Sequence, residues 1–549
     1  MEEGLSYIKG STDEPLASFT IGQYIEKFSE NFRDEVIVIS REQKKKLTVN
    51  QLLEESDKFA SGLYSLGLKR GDYVGIIVKN SVEALIVNFA CIRGGFVTVN
   101  LHPALQPREI EGYLNTLEVR CIVCVDKYKG FSIIDSLKKV VPEIGCSPSV
   151  TIESKSVPSL KRLVVISDKQ YEGTIQYEAL MSYSGESASK ETLENNKKLI
   201  DPHDIFAIIF TSGSTGNSKI VGLTHHQLTN CMYFLRKRFP AIKRGDKLCF
   251  HLPLFHIFGL GFSCIGIANG ITIVLPSLYY DPRMNLEAIS EENCALLIGT
   301  PTMFSDLIAI QKELNLPISP KIAMPGGAGA PASLYTDVLK ILHVKQVQIG
   351  YGLSEAAAAT WPDASILNDF TTTGRLMDHL EAKIVDESGN LVPIGTPGEL
   401  LLRGYSVIKK YLHYQAETLE DDGWFRTGDM VSVDGDGKFH VTGRFKDIIN
   451  RGGEKISPGE VEMILESHPS IQEVYVVGTK HDRLGEEVCA CCKLKPDSTL
   501  TLEEIKEYCK GKLSYYKIPS RIEIMDAFPK TLIGKIQKNK LAQSLSETA

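Results

Sequence analysis

Helical and strand-like patterns alternate along the first 200 residues of this chain. Apolar residues recur at helical spacing over Asn50–Leu66 and again over Val82–Ile92. Tyr73–Val78 and Val97–Asn100 are short, apolar and rich in β-branched residues, as strands are. Such alternation predicts βαβ units, in which helices join parallel strands and cover the sheet. We therefore expect an α/β fold, and a length of 549 residues allows several domains.

The pattern changes after about residue 398. Glu399–Arg403 and Phe439–Thr442 are strand-like and accompany glycine-rich turns, which predicts a small β-barrel layer. Past Arg444 the alternation restarts, and Ser457 has the spacing of a capping box that opens a helix to about His468. The expected architecture is a large N-terminal domain (1–444) of two βαβ-type subdomains plus the β-barrel layer. A small, mobile α+β C-terminal domain (445–549) follows it.

Composition excludes several classes of protein. The net charge of −7 argues against a dedicated nucleic-acid binder, which usually carries a basic excess. The apolar window Leu252–Leu275 contains His256 and four glycines, which favours a buried helix and strand over a transmembrane span. The polar segment Met181–Lys198 predicts an exposed loop. Cys121 and Cys124 form a CxxC motif within a strand-like run, where the two side chains point to opposite faces, so we expect reduced core cysteines.

The chain termini bear on the compartment. The first residues are acidic and lack both a signal-peptide pattern and an Arg-rich transit pattern. The last residues, Ser-Leu-Ser-Glu-Thr-Ala, are not a peroxisomal SKL signal. These features predict a cytoplasmic protein, with a mitochondrial location as the alternative.

A Ser/Thr/Gly run follows the apolar strand-like segment Asp204–Phe210 and ends in Lys219. Glycines let the backbone approach a ligand, hydroxyls donate to phosphate oxygens, and a lysine adds charge. Its glycine spacing is not that of a Walker A loop, so this is a different kind of phosphate loop. The alternative interpretation is a flexible linker.

Four further motifs carry polar groups beside glycines. Gly350 to Glu355 supplies an aromatic ring, a hydroxyl and a carboxylate, which suits a nucleotide with Mg²⁺. Asp429 follows Thr-Gly and is alternatively a turn residue. The motifs Gly443–Glu454 and Pro529–Ile536 are rich in charged residues and glycine, and the second presents Lys535 on a tight turn.

In this order and spacing the five motifs resemble the acyl-adenylate-forming superfamily, over nearly the whole chain. That superfamily includes acyl-CoA synthetases, coumarate–CoA ligases, firefly luciferase and the adenylation domains of peptide synthetases. The C-terminal third resembles the medium-chain acyl-CoA synthetase branch, with Arg403-Gly404-Tyr405 and Gly534-Lys535-Ile536 among the matching residues. The resemblance implies a ligase that joins a fatty acid to CoA with ATP and Mg²⁺, through an acyl-adenylate. An aryl-CoA ligase of the coumarate type and a luciferase-like oxidase are the alternatives.

The resemblance also implies a role for each matching residue. The residues implied to hold the ATP phosphates are Thr211, Ser212, Gly213, Ser214, Thr215, Gly216 and Lys219. Those implied at the adenine are Gly327, Ala328, Tyr351 and Gly352, with Tyr351 stacked on the ring. Ser354 and Glu355 match the phosphate–Mg²⁺ site, and Asp429 and Arg444 match the pair that binds the ribose.

The remaining implied roles concern the acid, CoA and domain movement. Lys535 matches the lysine that bridges the substrate carboxylate and the α-phosphate. His256 and Phe258 match positions beside the acyl pocket, Gly452 and Gly453 lie where CoA passes, and Lys446 matches the hinge. The chain departs from the family pattern at three places, one of which is the run Ala356–Ala359, where hydroxyls are common. Ile220 follows Lys219 where glycine is usual, and Asn450 replaces a lysine of luciferases.

Overall fold

The computed structural model describes residues 4–146, 149–183, 187–211, 219–330, 332–413, 418–451, 454–481, 483–530 and 536–547. Its strands up to residue 224 are β1 (Tyr7–Lys9), β2 (Val36–Ser40), β3 (Lys45–Thr48), β4 (Tyr73–Ile77), β5 (Val97–Asn100), β6 (Cys121–Val125), β7 (Lys127–Tyr128), β8 (Phe131–Ser132), β9 (Arg162–Ile166), β10 (Ile175–Gln176), β11 (Ile205–Thr211) and β12 (Lys219–Thr224).

The later strands are β13 (Lys247–Cys249), β14 (Thr272–Leu275), β15 (Leu296–Gly299), β16 (Ile322–Pro325), β17 (Gln346–Val347), β18 (Thr360–Trp361), β19 (Arg375–Leu376), β20 (Leu380–Val385), β21 (Gly398–Gly404), β22 (Phe425–Val433), β23 (Phe439–Arg444), β24 (Ile449–Arg451), β25 (Glu454–Ile456), β26 (Ile471–His481), β27 (Gly485–Leu494) and β28 (Arg521–Ile524).

The helices are α1 (Ile21–Phe28), α2 (Val49–Ser65), α3 (Val82–Gly94), α4 (Pro107–Thr116), α5 (Ile133–Val140), α6 (Tyr177–Tyr183), α7 (Ser187–Leu199), α8 (His225–Leu235), α9 (Ile257–Ala268), α10 (Pro282–Glu291), α11 (Pro301–Leu314), α12 (Ala332–Ile341), α13 (Pro458–Leu465), α14 (Leu502–Cys509) and α15 (Lys538–Glu547). Short 3₁₀ helices span Arg236–Arg238 and Phe445–Asp447.

Two mainly parallel sheets form most of the N-terminal part. The first has the order β10-β9-β6-β4-β5-β11-β12, and β12 runs antiparallel to β11 at its edge. The second has the order β17-β16-β15-β13-β14-β2-β3, with β3 antiparallel to β2. Residues of both sheets share one hydrophobic core with helices such as α3, which is buried along its whole length. The prediction of two βαβ-type subdomains is confirmed.

The third sheet of this part is antiparallel, with the order β1-β20-β21-β22-β23. Its described strands form an open sheet, with β1 and β23 at the two edges, and not a closed barrel. Strands lie at the predicted positions, but they form an open sheet, so the prediction of a β-barrel is wrong. Strand β1, near the N-terminus, forms one edge by pairing with β20. The sequence around residue 400 does not indicate this long-range pairing.

The C-terminal residues build a separate α+β unit. Strands β25, β24, β27 and β26 pair in that order, and β28 adds to β27. The unit has its own core, in which Ile449, Val461, Val476 and Ile505 are buried. These features support the predicted small C-terminal domain.

One local prediction is wrong, and a second is correct in placing Pro458 at the start of helix α13 but wrong in its cap. The segment Met181–Lys198 is mostly helical, because Ser189 and Leu193 on α7 are buried while Lys197 pairs with Asp57 at 2.6 Å. These three residues are four apart and share one face, which is enough to dock an otherwise polar helix on α2. Ser457 precedes α13, but its hydroxyl donates to the carbonyl of Thr442 at 2.8 Å and caps no helical N–H. That hydroxyl ties α13 to β23, and the helix ends at Leu465, before His468.

The expectations for cysteines and for the apolar window are confirmed. Cys121 and Cys124 are both buried on β6, and they pack into different cores on its two faces. The window Leu252–Leu275 forms α9 and β14. None of the helices in the described part of the chain is both long and apolar enough to cross a membrane.

Candidate active site

A cavity of about 1020 Å³ lies where the three N-terminal sheets meet the C-terminal unit. Strands β5, β11 and β16 deliver Asn100, Thr211 and Pro325 to its wall from their carboxyl ends. Ligands of open parallel α/β sheets bind at this edge, because the loops that follow the strands converge there. The C-terminal unit contributes Lys530 and Gln537.

Asp429 holds two of the predicted site residues together. The hydroxyl of Tyr351 donates to Asp429 Oδ2 at 2.5 Å, and Arg444 Nε lies 2.7 Å from Oδ1. Asp429 lies in strand β22, and its backbone N–H donates to Thr427 Oγ1 at 3.0 Å. Arg444 lines the cavity, whereas Asp429 and Tyr351 are not among the lining residues. Burial, followed by the neighbouring Asp429 carboxylate, raises the pKa of the Tyr351 phenol well above its ordinary value. The tyrosine is therefore a hydrogen-bond donor at all working pH values.

A second polar group surrounds Glu355. The hydroxyl of Tyr411 donates to Glu355 Oε1 at 2.9 Å, and the ammonium of Lys219 lies 4.8 Å from the centre of the Tyr411 ring. The backbone of this segment is fixed as well, since Leu412 donates to the carbonyl of Ile220 at 3.0 Å. Tyr411 thus stands between the predicted phosphate lysine and the predicted metal carboxylate. Sequence reasoning missed it, because it lies outside all five motifs.

Two glycines shape the wall. A Cβ on Gly326 would lie 3.0 Å from the Phe258 ring, so glycine lets the loop pack closely on that side chain. A Cβ on Gly352 would lie 1.7 Å from the carbonyl oxygen of Ala357. Gly327 follows Gly326 with φ +83 and also lines the cavity, whereas Ala328 is not among the lining residues.

An apolar branch of the cavity extends between α8 and α9. His256 caps α9 at its entrance, where Nδ1 accepts from the backbone N–H of Phe258 at 3.2 Å. Beyond it the lining is apolar or sulfur-containing: Leu228, Cys231, Leu235, Phe258, Gly261, Phe262, Ile265, Met324, Ala357, Ala358 and Trp361. Such a branch suits a hydrocarbon.

Several predicted site residues fall outside the described ranges, and the structure describes only their flanks. They are Ser212, Gly213, Ser214, Thr215, Gly216, Gly452, Gly453 and Lys535. Thr211 and Lys219 are register partners on β11 and β12, so the two ends of the predicted phosphate loop lie side by side. Lys530 and Ile536 are also bridge partners, which brackets the segment that contains Lys535.

The charges around the cavity favour an anionic ligand. The cationic side chains on its wall are Lys219, Arg426, Arg444, Lys446, Lys530 and Lys540. The carboxylates there are Glu109, Glu355 and Glu399. Cations outnumber anions at this site in a chain whose net charge is −7, and converging positive groups attract polyanions such as nucleotides. Arg426, Lys530 and Lys540 were not predicted, although the first and second lie within motifs singled out from the sequence.

The donor set around Glu355 fits magnesium. In the described part of the chain, no group of three or more His, Cys, Asp or Glu side chains could hold a metal ion. Mg²⁺ needs no such group, because it binds through one or two carboxylates together with phosphate oxygens and water. Glu355, with Ser354 beside it on the cavity wall, meets that requirement.

Comparisons with known proteins agree with this geometry. Residues 25–412 match the family model described as AMP-binding enzyme, and residues 460–535 match the AMP-binding enzyme C-terminal domain. The chain is 36% identical over 548 residues to the medium-chain acyl-CoA ligase ACSF2, mitochondrial, of Danio rerio, covering 98% of this chain and 90% of the relative. It is 32% identical to the putative acyl-CoA synthetase YngI of Bacillus subtilis (strain 168), covering 97% and 98% of the two chains.

A solved structure shows the same fold. The crystal structure of the anthranilate CoA ligase AuaEII in complex with anthranoyl-AMP matches with a TM-score of 0.82 and 23% sequence identity. The match covers 97% of this chain and 98% of that one. The likeness shows that the two chains share a fold.

Proposed function

We propose, since the chain belongs to the AMP-binding enzyme family, that it is an ATP-dependent acid–thiol ligase that converts a fatty acid and CoA to acyl-CoA, AMP and pyrophosphate. The observation that carries this proposal is the convergence on one cavity of two polar groups and an apolar branch. The first group is Asp429 with Tyr351 and Arg444, of which Arg444 lines the cavity, and it suits a nucleoside. The second group is Glu355 with Tyr411 and Lys219, which all line the cavity, and it suits phosphates.

In the first half-reaction, a carboxylate oxygen of the acid attacks the α-phosphorus of ATP. The bond from that phosphorus to the bridging oxygen breaks, and pyrophosphate leaves. Lys219 is assigned to neutralise charge on the phosphates, and Lys535, which lies in sequence between the bridge partners Lys530 and Ile536, is assigned to the carboxylate and α-phosphate. Because protein groups form no covalent bond, positioning and charge stabilisation supply the rate enhancement.

Magnesium is part of this proposal. Glu355 and the hydroxyl of Ser354 would hold the ion, and the ion would neutralise phosphate charge as pyrophosphate departs. Tyr411 donates to one Glu355 oxygen and so restrains the carboxylate on the cavity wall, while the other oxygen is assigned to the ion. In this proposal the chain contributes the position of the carboxylate that would hold the ion.

In the second half-reaction, the CoA thiol attacks the acyl carbon and AMP leaves. The 3₁₀ helix Phe445–Asp447 follows directly on β23, and we place the domain boundary there, at 444/445. Lys446 is exposed on the cavity wall and is assigned as the hinge. The present arrangement, with Lys530 and Gln537 on the wall, is the one we assign to adenylation. Rotation about Lys446 would then bring Gly452 and Gly453 to the CoA path.

The acid is assigned to the apolar branch between α8 and α9. A hydrocarbon gains about 0.8 kcal/mol for each methylene it buries, so this branch favours alkyl chains over dicarboxylic acids. The names of the animal relatives specify medium-chain acids, and we propose the same class here.

The experiment that tests this proposal is product analysis of the purified chain. With ATP, Mg²⁺, CoA and octanoate, we expect octanoyl-CoA and AMP in equal amounts, with no ADP. Coumarate, luciferin and malonate in place of octanoate test the aryl, luciferase-like and dicarboxylate alternatives. Turnover of coumarate in preference to every fatty acid from C6 to C16 would replace the fatty-acid assignment with the aryl one.

The compartment stays a prediction. The sequence predicts the cytoplasm, whereas the names of the animal relatives place those proteins in mitochondria. Cell fractionation with an antibody against the chain distinguishes the two.

A further inference from the structure

Trp361 borders the apolar branch of the cavity and is fixed in place by a hydrogen bond. Its indole Nε1 donates to Gln348 Oε1 at 2.9 Å, and the amide of Gln348 donates in turn to the carbonyl of Arg238 at 3.2 Å. The ring also contacts Phe262 and Phe239, with centroid distances of 6.1 and 5.8 Å. A buried indole N–H needs a hydrogen-bond acceptor, so a different rotamer of Trp361 would lose the bond to Gln348.

Two glycines pack closely against the same residue. A Cβ on Gly350 would lie 2.2 Å from carbon atoms of the Trp361 ring, so the ring packs directly on the glycine backbone. A Cβ on Gly374, whose φ is +90, would lie 2.1 Å from the Trp361 carbonyl carbon. Neither the ring nor its backbone can move away from the cavity without displacing main chain. Trp361 is therefore a rigid wall.

The length of the branch can be read from α9. Its cavity-lining residues run from Ile257 beside the entrance to Ile265, and eight residues of helix span about 12 Å. With ordinary carbon–carbon bond lengths, that distance accommodates an extended chain of roughly eight to ten carbons. Trp361 contacts Phe262 on the second turn of α9 and Phe239, which follows the C-terminal end of α8, so the indole lies beside the later turns of these helices and away from His256 at the start of α9.

We propose that Trp361 is the end wall of the acyl branch and sets the upper limit of chain length at about ten carbons. This inference rests on the proposed function and adds the residue that determines specificity. The substrate class that it names is saturated monocarboxylic acids of medium length. A longer chain meets an indole that cannot retreat, whereas a shorter one leaves part of the branch unfilled and loses about fourfold in affinity for each methylene.

The test compares Trp361→Leu and Trp361→Phe with the unchanged chain on even-numbered acids from C6 to C16. Removing the indole should move the optimum of kcat/KM to longer acids by two to four carbons, and phenylalanine should move it less. The ratio of kcat/KM for C14 to that for C8 should rise at least tenfold in the leucine variant. An active leucine variant with an unchanged chain-length profile would overturn the inference, while leaving the ligase assignment intact.

A second measurement needs no change at Trp361. The chain contains two tryptophans, and the other, Trp424, is absent from the cavity wall and packs between Lys383 and Arg403. In the Trp424→Phe protein, tryptophan fluorescence comes from Trp361 alone. Non-hydrolysable acyl sulfamoyl adenosines with C2, C6 and C10 chains are the probes. We expect the emission to shift only when the chain reaches C10; equal spectra with bound C2 and C10 probes would exclude Trp361 as the end wall.

Failure of the proposed function would look different. In that case no acid would support pyrophosphate exchange, and none of the adenosine probes would bind. A chain that binds all three probes with one unchanged emission spectrum retains the proposed function and loses only this inference.

Discussion

Asp429 and Arg444 are register partners on the antiparallel strands β22 and β23, and their side chains meet at 2.7 Å. The carboxylate is 6% exposed, whereas the guanidinium is 46% exposed. A buried anion thus holds an exposed cation at the rim of the cavity, one residue before the proposed domain boundary. The same carboxylate accepts a hydrogen bond from the Tyr351 hydroxyl. One buried charge therefore holds both the Tyr351 and the Arg444 side chains in place.

Asp429→Asn is predicted to weaken ATP binding. The variant keeps the size of the side chain and removes the charge that Tyr351 and Arg444 share. Hydrogen bonds to a charged group contribute about 1.5–3 kcal/mol, so the KM for ATP should rise by about 10- to 100-fold. Asp434→Asn, in the turn that follows β22, is the control and should leave the KM unchanged. A stability loss without a change in KM would assign Asp429 a purely structural role.

Tyr411→Phe is predicted to slow adenylation by about tenfold, because Glu355 loses the donor that orients it. The measurement is the rate of ATP–pyrophosphate exchange at several Mg²⁺ concentrations. Tyr405→Phe is the matched control, since the Tyr405 hydroxyl lacks a hydrogen-bond partner in the described part of the structure. Exchange by Tyr411→Phe at the rate of the unchanged chain would contradict the orienting role of the hydroxyl.

Lys446→Pro is predicted to separate the two half-reactions. Proline fixes φ near −65°, which lies within the range of the 3₁₀ helix observed at this position. The present arrangement should then persist, so that pyrophosphate exchange continues while acyl-CoA formation falls by about 100-fold or more. Lys446→Ala, which keeps a flexible backbone, should make acyl-CoA normally. Normal acyl-CoA formation by the proline variant would remove the rotation from this mechanism.

Glu466 is predicted to make stability fall as pH rises. Burial, followed by the nearby Glu462 carboxylate, raises the pKa of Glu466 from its ordinary value of 4.5 to about 8, against the opposing effect of Lys538. The folded chain therefore keeps a proton that the unfolded chain releases above pH 4.5, and the stability linked to it is lost between about pH 4.5 and 8. Tyr335 of α12 is the titratable group that faces Glu466 from the N-terminal part.

Calorimetry of Glu466→Gln checks this prediction. The variant should match the unchanged chain near pH 5 and have the higher Tm above pH 8, since glutamine resembles the protonated acid. Glu507→Gln on the exposed surface of α14 is the control and should show no such difference. Parallel Tm curves for Glu466→Gln and the unchanged chain would contradict the assignment.

The sequence was sufficient to predict a helix or strand wherever the hydrophobic pattern depends on that element alone. Strand β4 and helix α3 were predicted within two residues, because a buried parallel strand and a buried helix each carry a long apolar run. The open edge of the third sheet depends on β1, which pairs with β20 across more than 370 residues. No local pattern reports such a pairing. Helix α7 was missed because only Leu193 and a few other side chains on one face are buried.

The site shows the same division. Residues that lie in glycine-rich motifs, such as Glu355 and Asp429, could be singled out because those motifs have fixed spacing. Tyr411 and Trp361 could not, because their roles depend on which segments fold beside them. Tyr411 lies beside Glu355 because the next residue, Leu412, pairs with Ile220 of strand β12. The Trp361 ring fits at the cavity wall because Gly350 has no side chain to collide with it. These relations exist in three dimensions alone.

Acid-dependent exchange of radioactive pyrophosphate into ATP, measured without CoA, tests the central claim most directly. It isolates the reversible formation of an acyl-adenylate from all later steps. We predict exchange that requires both Mg²⁺ and a medium-chain acid such as decanoate, and that disappears when Lys535 is replaced by alanine. Exchange that proceeds equally without any acid, or no exchange with any acid from C6 to C16, would contradict the account.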